Sequence, residues 1–309
     1  MTGLHGSRQK MILDVDTGSD DAIALLMAGH APTLELVGVT VVQGNAPLPV
    51  TLANTRQVLA AGGLSHVPVY AGMDRPLVRP RVPTGPGQSL AFALPEPALA
   101  PSPTHAVDFL VQHFLGPDGP NTILVPVAPL TNLATAILRE PCLAARIPRL
   151  VMMGGAVGGG NVTPSAEFNI YADPEAAQVV FRSGIPITMV GLEATASALI
   201  GFDDVARIRA LDTPQARVAA DLMDWLVRWF HQHLGRDAEI YDACAVAAVI
   251  EPGILTTRRM SVDVETKDEL TLGRTICTEG DDSSPERRVD VALQVNRARF
   301  LEIMRECLA

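Results

Sequence analysis

The sequence predicts an α/β fold: a single large domain on a mostly parallel, doubly wound sheet with helices on both faces. Three observations predict it. Short apolar runs rich in β-branched residues alternate with segments of helical length along most of the chain. Polar turn residues follow the carboxyl ends of those runs, where open parallel sheets bind their ligands. With 48% hydrophobic residues, a chain of 309 is long enough to bury a large core.

Residues 1–10 read as a flexible leader, because Gly3, Gly6 and Ser7 interrupt any pattern, and residues 11–309 read as the domain. Residues 11–13 form a short apolar run expected to be a buried strand, Thr17-Gly18-Ser19 a turn, and residues 22–28 a packed helix. This first unit places Asp14, Asp16, Asp20 and Asp21 within eight residues. Alternation puts Asp14 and Asp16 on one side of the strand's end, and the helix dipole favours ionised Asp20 and Asp21 at its start. Carboxylates gathered so closely repel one another unless a cation neutralises them, and oxygen-only ligands suit a hard ion such as Ca²⁺ or Mg²⁺. The alternative is that one aspartate caps the helix and the others are solvated.

The second apolar run, residues 34–42, is β-branched and ends in Gln43-Gly44-Asn45, so Asn45 faces the same end as the aspartates. Residues 49–61 predict a helix and 67–72 a short strand. Residues 75–103 are rich in proline and glycine without periodicity, which predicts an irregular excursion, either a lid or a surface loop. Residues 104–114 have helical spacing. Residues 121–126 are a strand running into a strand-to-helix turn at 127–133, again at the ligand end, and 149–155 repeat the pattern.

The glycine-rich stretch 158–174 allows close approach of backbone to a ligand, while Asn161, Glu167 and Asn169 supply hydrogen-bonding groups. That set suits a polyol. A phosphate is disfavoured, since no Lys or Arg accompanies the glycines. Met153 and Phe168 either line the pocket or belong to the plain core. Residues 174–183 predict a helix and 185–190 a further strand, giving a Rossmann-like alternation. Residues 213–234 form a long helical stretch carrying Trp225, Trp229 and His233 at successive steps of four, and so close to one face. Such a stripe is either aromatic core or a surface that stacks on a flat ligand. Residues 241–250 are an apolar helix entered through Tyr241 and Asp242, a fifth carboxylate. Strands near 260–265, 271–277 and 289–295 and a helix at 297–307 read as scaffold.

Composition excludes several classes. Net charge is −10, and Lys10 and Lys267 are the only lysines, so binding to a nucleic-acid backbone is excluded as a function. No apolar run reaches the length of a membrane span and no signal-peptide pattern opens the chain, which predicts a cytoplasmic protein without a membrane partner. Cys142, Cys244, Cys277 and Cys307 form no CxxC pair and read as ordinary packing residues.

The motifs together resemble a known family. Asp14-Val-Asp-Thr-Gly-Ser-Asp-Asp-Ala22, Gly44-Asn45, Tyr70-Ala-Gly with Pro76-Leu77, Pro129-Leu-Thr-Asn132, Met153-Gly-Gly, the stretch from Gly160 to Asn169 and Asp242 follow the order found in the nucleoside hydrolases of the inosine-uridine preferring type. The resemblance runs from Met11 to about Cys307. It implies a calcium-dependent enzyme of purine or pyrimidine salvage that splits the N-glycosidic bond of ribonucleosides, built as a homodimer or homotetramer. By the same resemblance Asp16, Asp21, the backbone carbonyl of Val127 and Asp242 hold Ca²⁺, and Asp16 deprotonates the water held by the ion. Asp20, Asn45, Asn161, Glu167 and Asn169 bind the ribose hydroxyls, and Asp14 steadies the cluster from behind.

Departures from the family pattern fall around the leaving base. Tyr241 stands where many members carry a histidine that protonates the base, Ala243 replaces a common proline, and Ala128 replaces a glycine. No histidine occurs between His66 and His105. Purine-specific relatives without a histidine acid stack the base between aromatic rings, so Tyr241 with Trp225 or Trp229 is the expected substitute and His233 the alternative acid. Two other readings of the residues remain open here. One is a nucleoside- or sugar-binding protein with little turnover. The other is a haloacid-dehalogenase-like phosphotransferase, which Asp14-Val-Asp-Thr17 resembles but for which only Lys267 and Asp281-Asp282 offer the remaining groups.

Overall fold

The computed structural model describes residues 8–83, 90, 94, 100–279 and 288–309. At its centre lies β1 (Gln9–Val15), paired in parallel with β2 (Leu34–Val41) on one side and β4 (Thr122–Pro126) on the other. The parallel set is completed by β3 (Val69–Ala71), β5 (Leu150–Met153), β6 (Ile187–Val190) and β9 (Arg288–Val295). An antiparallel extension, β7 (Leu255–Val264) and β8 (Thr275–Thr278), follows β9. The resulting nine-stranded order is β3-β2-β1-β4-β5-β6-β9-β7-β8. Strand order therefore reverses at β1/β4, the place where a doubly wound sheet opens a crevice beyond its carboxyl ends.

The helices cover both faces because each apolar stripe needs a partner. On one face α1 (Ser19–His30) packs against α9 (Pro214–Leu234), α10 (Tyr241–Ile250) and α11 (Arg297–Leu308). Their buried residues include Ile23, Leu26, Met223, Val227 and Phe300. Ala243, Ala245, Ala247 and Ala248 make α10 slender, which lets it lie close to α1 while presenting its first turn to the crevice. The opposite face is built from α3 (Ala106–Leu115), α4 (Thr131–Arg139) and α6 (Pro174–Phe181), through Leu110, Phe114, Leu133 and Phe181. Between these, α2 (Leu48–Ala61), α5 (Phe168–Ala172), α7 (Leu192–Thr195) and α8 (Phe202–Arg209) complete the layers.

Local chemistry explains the boundaries that matter for the crevice. The first turn of α6 has Pro174 at its start, and the Asp173 carboxylate accepts from the Ala176 N–H at 3.1 Å. At α9 the Thr213 hydroxyl accepts from the Ala216 N–H at 3.2 Å. Gly235 ends that helix with φ 66°, a left-handed turn that redirects the chain toward α10.

Several expectations shift. Gln9 and Lys10, read as leader, belong to β1, and the Lys10 ammonium pairs with Asp118 at 2.7 Å; residues 1–7 lie outside the described residues. Helix α1 begins at Ser19 rather than Ala22, because Asp20 and Asp21 serve as its acidic first turn. Residues 271–273 are turn, and β8 starts at Thr275. Helices α5, α7 and α8 are not among the expected elements; α5 and α7, of five and four residues, are too short for a periodic pattern. Most of 84–99, and with it the choice between lid and loop, lies outside the described residues, as do Asp281 and Asp282. Cys142 is exposed rather than packed; all four cysteines are free thiols. No helix among the described residues is long and apolar enough to cross a membrane.

Candidate active site

A cavity of about 790 Å³ opens at the carboxyl ends of β1, β4 and β5. Its acidic floor comes from Asp16, Asp20 and Asp242, and its middle from Asn45, Val127, Met153, Asn161, Glu167 and Asn169. An apolar wall holds Phe168, Trp225, Trp229 and Tyr241, with His233 at the rim. All of the residues expected to touch substrate are thus in one cavity. Asp14 and Asp21 lie behind its surface, 1% and 0% exposed.

The acidic floor is assembled by backbone amides rather than by cations. Asp21 accepts from the N–H of Asp16 at 3.1 Å and of Gly18 at 2.9 Å, and from the Asn45 amide at 3.2 Å. Asp16 accepts from the Asn45 N–H at 2.6 Å. This contact is why residue 44 is glycine: a Cβ there would sit 2.0 Å from the Asp16 carboxylate. Asp14 is held behind the cluster by the Thr40 hydroxyl at 2.5 Å and the Asn132 amide at 2.7 Å. Carboxylate oxygens of Asp20, Asp21 and Asp242 lie within 4.8 Å of one another. Among the described residues no arginine or lysine forms a salt bridge with Asp16, Asp20, Asp21 or Asp242.

Burial without counter-charge outweighs the helix-dipole effect expected to keep Asp20 and Asp21 ionised. Desolvation, followed by the neighbouring Asp20 charge, pushes Asp21 up to about 7. Burial and the surrounding carboxylates likewise hold Asp16 and Asp242 well above the ordinary aspartate range, and burial raises Asp20. A metal ion fits this donor set, because it is all oxygen, converges on one point and lacks any protein cation. Asp20, expected among the sugar ligands, stands in the converging trio, whereas the Val127 carbonyl also accepts from the Asn169 amide at 3.1 Å and keeps one lone pair free.

The polar groups in the middle of the cavity are fixed by the segment after β5. Glu167 caps α5 by accepting from the N–H groups of Asn169 at 2.9 Å and Ile170 at 3.2 Å, and it also accepts from Gly155 N–H at 3.0 Å. Burial pushes its carboxyl up to about 7. The Asn161 side-chain oxygen accepts from Phe168 N–H at 3.0 Å, which closes the loop and leaves the amide NH₂ for a ligand. On the apolar wall, the rings of Trp229 and His233 stack with centroids 4.7 Å apart and 23° between planes. His233 Nδ1 donates to the Trp229 carbonyl at 2.8 Å, so in the neutral ring Nε2 carries no proton. Burial, and next the Glu239 charge, push the Tyr241 phenol well above its ordinary value.

Sequence reasoning missed Ser19, Arg236 and Glu239 on the cavity wall. Arg236 pairs with Glu239 at 2.6 Å, and Glu239 accepts from the Thr195 hydroxyl at 3.1 Å. The available signal was positional: the short connection from the aromatic helix α9 to the Asp242 helix α10 has to pass the cavity.

An α/β crevice with a buried acidic floor, sugar-sized polar middle and aromatic wall defines a hydrolase of glycosidic type, with room for a sugar and a flat leaving group. The chain belongs to the inosine-uridine preferring nucleoside hydrolases, whose family model matches residues 11–302. It is similar to the pyrimidine-specific ribonucleoside hydrolase RihB of Escherichia coli (strain K12 / DH10B), 36% identical over 307 residues and 97% of each chain. Among solved structures it is similar to a purine-preferring ribonucleoside hydrolase from Gardnerella vaginalis, with TM-score 0.90, 29% identity, and coverage of 97% of this chain and 98% of that one. It is also similar to the plant nucleoside hydrolase PpNRh1, with TM-score 0.88, 28% identity and the same coverage. The protein is a nucleoside hydrolase that cleaves the N-glycosidic bond of ribonucleosides. The phosphotransferase reading falls, and Lys267 is exposed on the β7–β8 connection.

Proposed function

We propose that ribonucleosides bind with the ribose over the acidic floor and the base against the aromatic wall, and that Asp16 removes a proton from the attacking water. The carrying observation is that the buried, cation-free carboxylates and the aromatic wall share one cavity. Asp16, Asp21, Asp242 and the Val127 carbonyl would hold Ca²⁺, with Asp20 at the edge of that set and directed to the ribose. When bound, the ion would offset part of the carboxylates' charge and lower the pKa of adjacent water. The Asn45 N–H orients Asp16 for its proton. Asp20, Asn45, Asn161, Glu167 and Asn169 hold the ribose hydroxyls beside Met153, and Asp14 braces the floor. As the C1′–N bond breaks, the water oxygen bonds to C1′, and the negative floor stabilises the oxocarbenium-like sugar. Phe168, Trp225, Trp229 and Tyr241 enclose the departing base.

Release of reducing sugar from a panel of purine and pyrimidine nucleosides, with and without chelator, tests this reading. Turnover that survives complete chelation removes the metal from it. The cytoplasmic setting and the homodimer or homotetramer that the family implies are part of the same proposal, and sedimentation of the purified chain tests the assembly.

Ion binding also predicts a pH dependence of stability. The raised carboxyls, about 7 for both Asp21 and Glu167, stabilise the metal-free protein fully below the unfolded values near 4, and that contribution is lost as pH rises toward 7. Calcium needs the ionised forms, so its stabilisation should grow over the same interval. Melting temperatures measured with calcium and with chelator should diverge from pH 4 to pH 8; a constant difference contradicts the assignment.

For the sugar, Glu167→Ala should weaken ribonucleosides more than analogues lacking the 5′-hydroxyl, since an unpaired buried polar group costs about 1–3 kcal/mol. Equal loss on both substrates would mean that Glu167 only caps α5.

A further inference from the structure

The turn that follows β5 is held by two side chains that are not among those lining the cavity. Each backbone N–H from Gly154 to Gly158 has a partner. Gly154 donates to the Val190 carbonyl at 3.2 Å and Gly155 to Glu167 at 3.0 Å. Ala156 donates to the Thr275 hydroxyl at 2.9 Å, and that hydroxyl donates back to the Ala156 carbonyl. Val157 donates to both Glu193 oxygens at 3.0 Å, and Gly158 to one of them at 2.8 Å. Thr275 comes from β8, read as scaffold, and Glu193 from α7, so two separate elements converge on one turn.

The approach is close enough to demand glycine on both sides. Gly155 has φ +78°, and a Cβ there would lie 2.9 Å from Met189 Sδ and 3.1 Å from Thr275 Cγ2. A Cβ on Gly191 would lie 2.7 Å from the Gly155 carbonyl. The β7–β8 connection also reaches the next segment: a Cβ on Gly273 would sit 2.8 Å from the Tyr171 Cα, in α5.

We propose that Glu193 and Thr275 are positioning residues for the hydrolysis: they clamp Ala156–Gly158 and thereby set the Gly155 N–H that aims the Glu167 carboxylate at the sugar. The bonds to Glu193 are charge-assisted, and three of them fix two successive amides of a glycine-rich turn that would otherwise sample many conformations. A misplacement of about 1 Å in a group that orients substrate costs on the order of 10²-fold in rate. The clamp rests on the reading of Glu167 as a sugar ligand given above.

Steady-state kinetics on inosine and uridine, with melting temperatures for the same calcium-loaded enzymes, test the proposal. Glu193→Gln and Thr275→Val should each lower kcat/KM by about 10- to 100-fold while melting within a few degrees of the parent. Thr275→Ser, which keeps the hydroxyl, should restore parental kinetics. In a Glu167→Gln background the clamp variants should add less than about 3-fold, because the group they position is already lost. Parental kcat/KM in Glu193→Gln and Thr275→Val overturns the clamp whatever Glu167 does. Losses that multiply in the Glu167→Gln background overturn the route through Glu167, and a loss that tracks melting temperature and is not rescued by serine makes the role structural. A Glu167→Gln enzyme with parental kinetics instead removes the sugar reading, and the clamp is then judged on the two single variants alone.

Discussion

Asp21→Ala is expected to abolish hydrolysis, lowering kcat/KM by at least about 10²–10³-fold, the scale of losing one preorganised electrostatic group in a buried site. Two effects combine. The change removes a proposed calcium ligand, and it orphans the Asp16 and Gly18 N–H groups that Asp21 accepts from. Asp16→Asn isolates the chemistry, since its amide oxygen still accepts from Asn45 N–H and still coordinates weakly, yet takes no proton from water. It should be nearly as inactive while retaining more metal. Turnover on inosine and calcium content by atomic absorption, measured on the same preparations, check both. Near-parental turnover in either variant with metal bound contradicts the roles proposed for these carboxylates.

The second large effect concerns the leaving base. A positioned general acid contributes about 10²–10⁴-fold, and the family resemblance puts Tyr241 at the position expected of a histidine acid. A phenol pushed upward by burial and by Glu239 is a poorer proton donor than a free one, so Tyr241 is expected to work as a ring and a neutral hydrogen-bond donor. Trp225→Ala, Trp229→Ala and Tyr241→Ala should therefore slow inosine far more than a nitrophenyl riboside, whose leaving group departs without a proton. Tyr241→Phe should keep most of the ring's effect. His233→Ala tests the other donor: its Nδ1 is committed to the Trp229 carbonyl, so only the imidazolium has an Nε2 proton to give. If His233 is the acid, the selective loss should appear in His233→Ala. If all four alanine variants treat both substrates like the parent, α9 supplies packing alone.

Much of this protein was determined by local sequence. Apolar runs ending in polar turns define β1, β2, β4 and β5 and place Asp16, Asn45, Val127 and Met153 at one end of the sheet, because parallel strands joined by helices all present their carboxyl ends together. Steps of four along α9 put Trp225, Trp229 and His233 on one face, as the helical repeat requires. What periodicity does not contain is which of two faces meets solvent, or which distant side chain closes a turn. Only the tertiary structure decided that Trp225 and Trp229, while packed against the core, also line a cavity, and that Arg236 and Glu239 reach the same wall. It alone brought Thr275 and Glu193 to Ala156–Gly158, across 119 and 36 residues of chain. Those contacts depend on the order of strands in the sheet, a long-range property that the turn's glycines permit but do not encode.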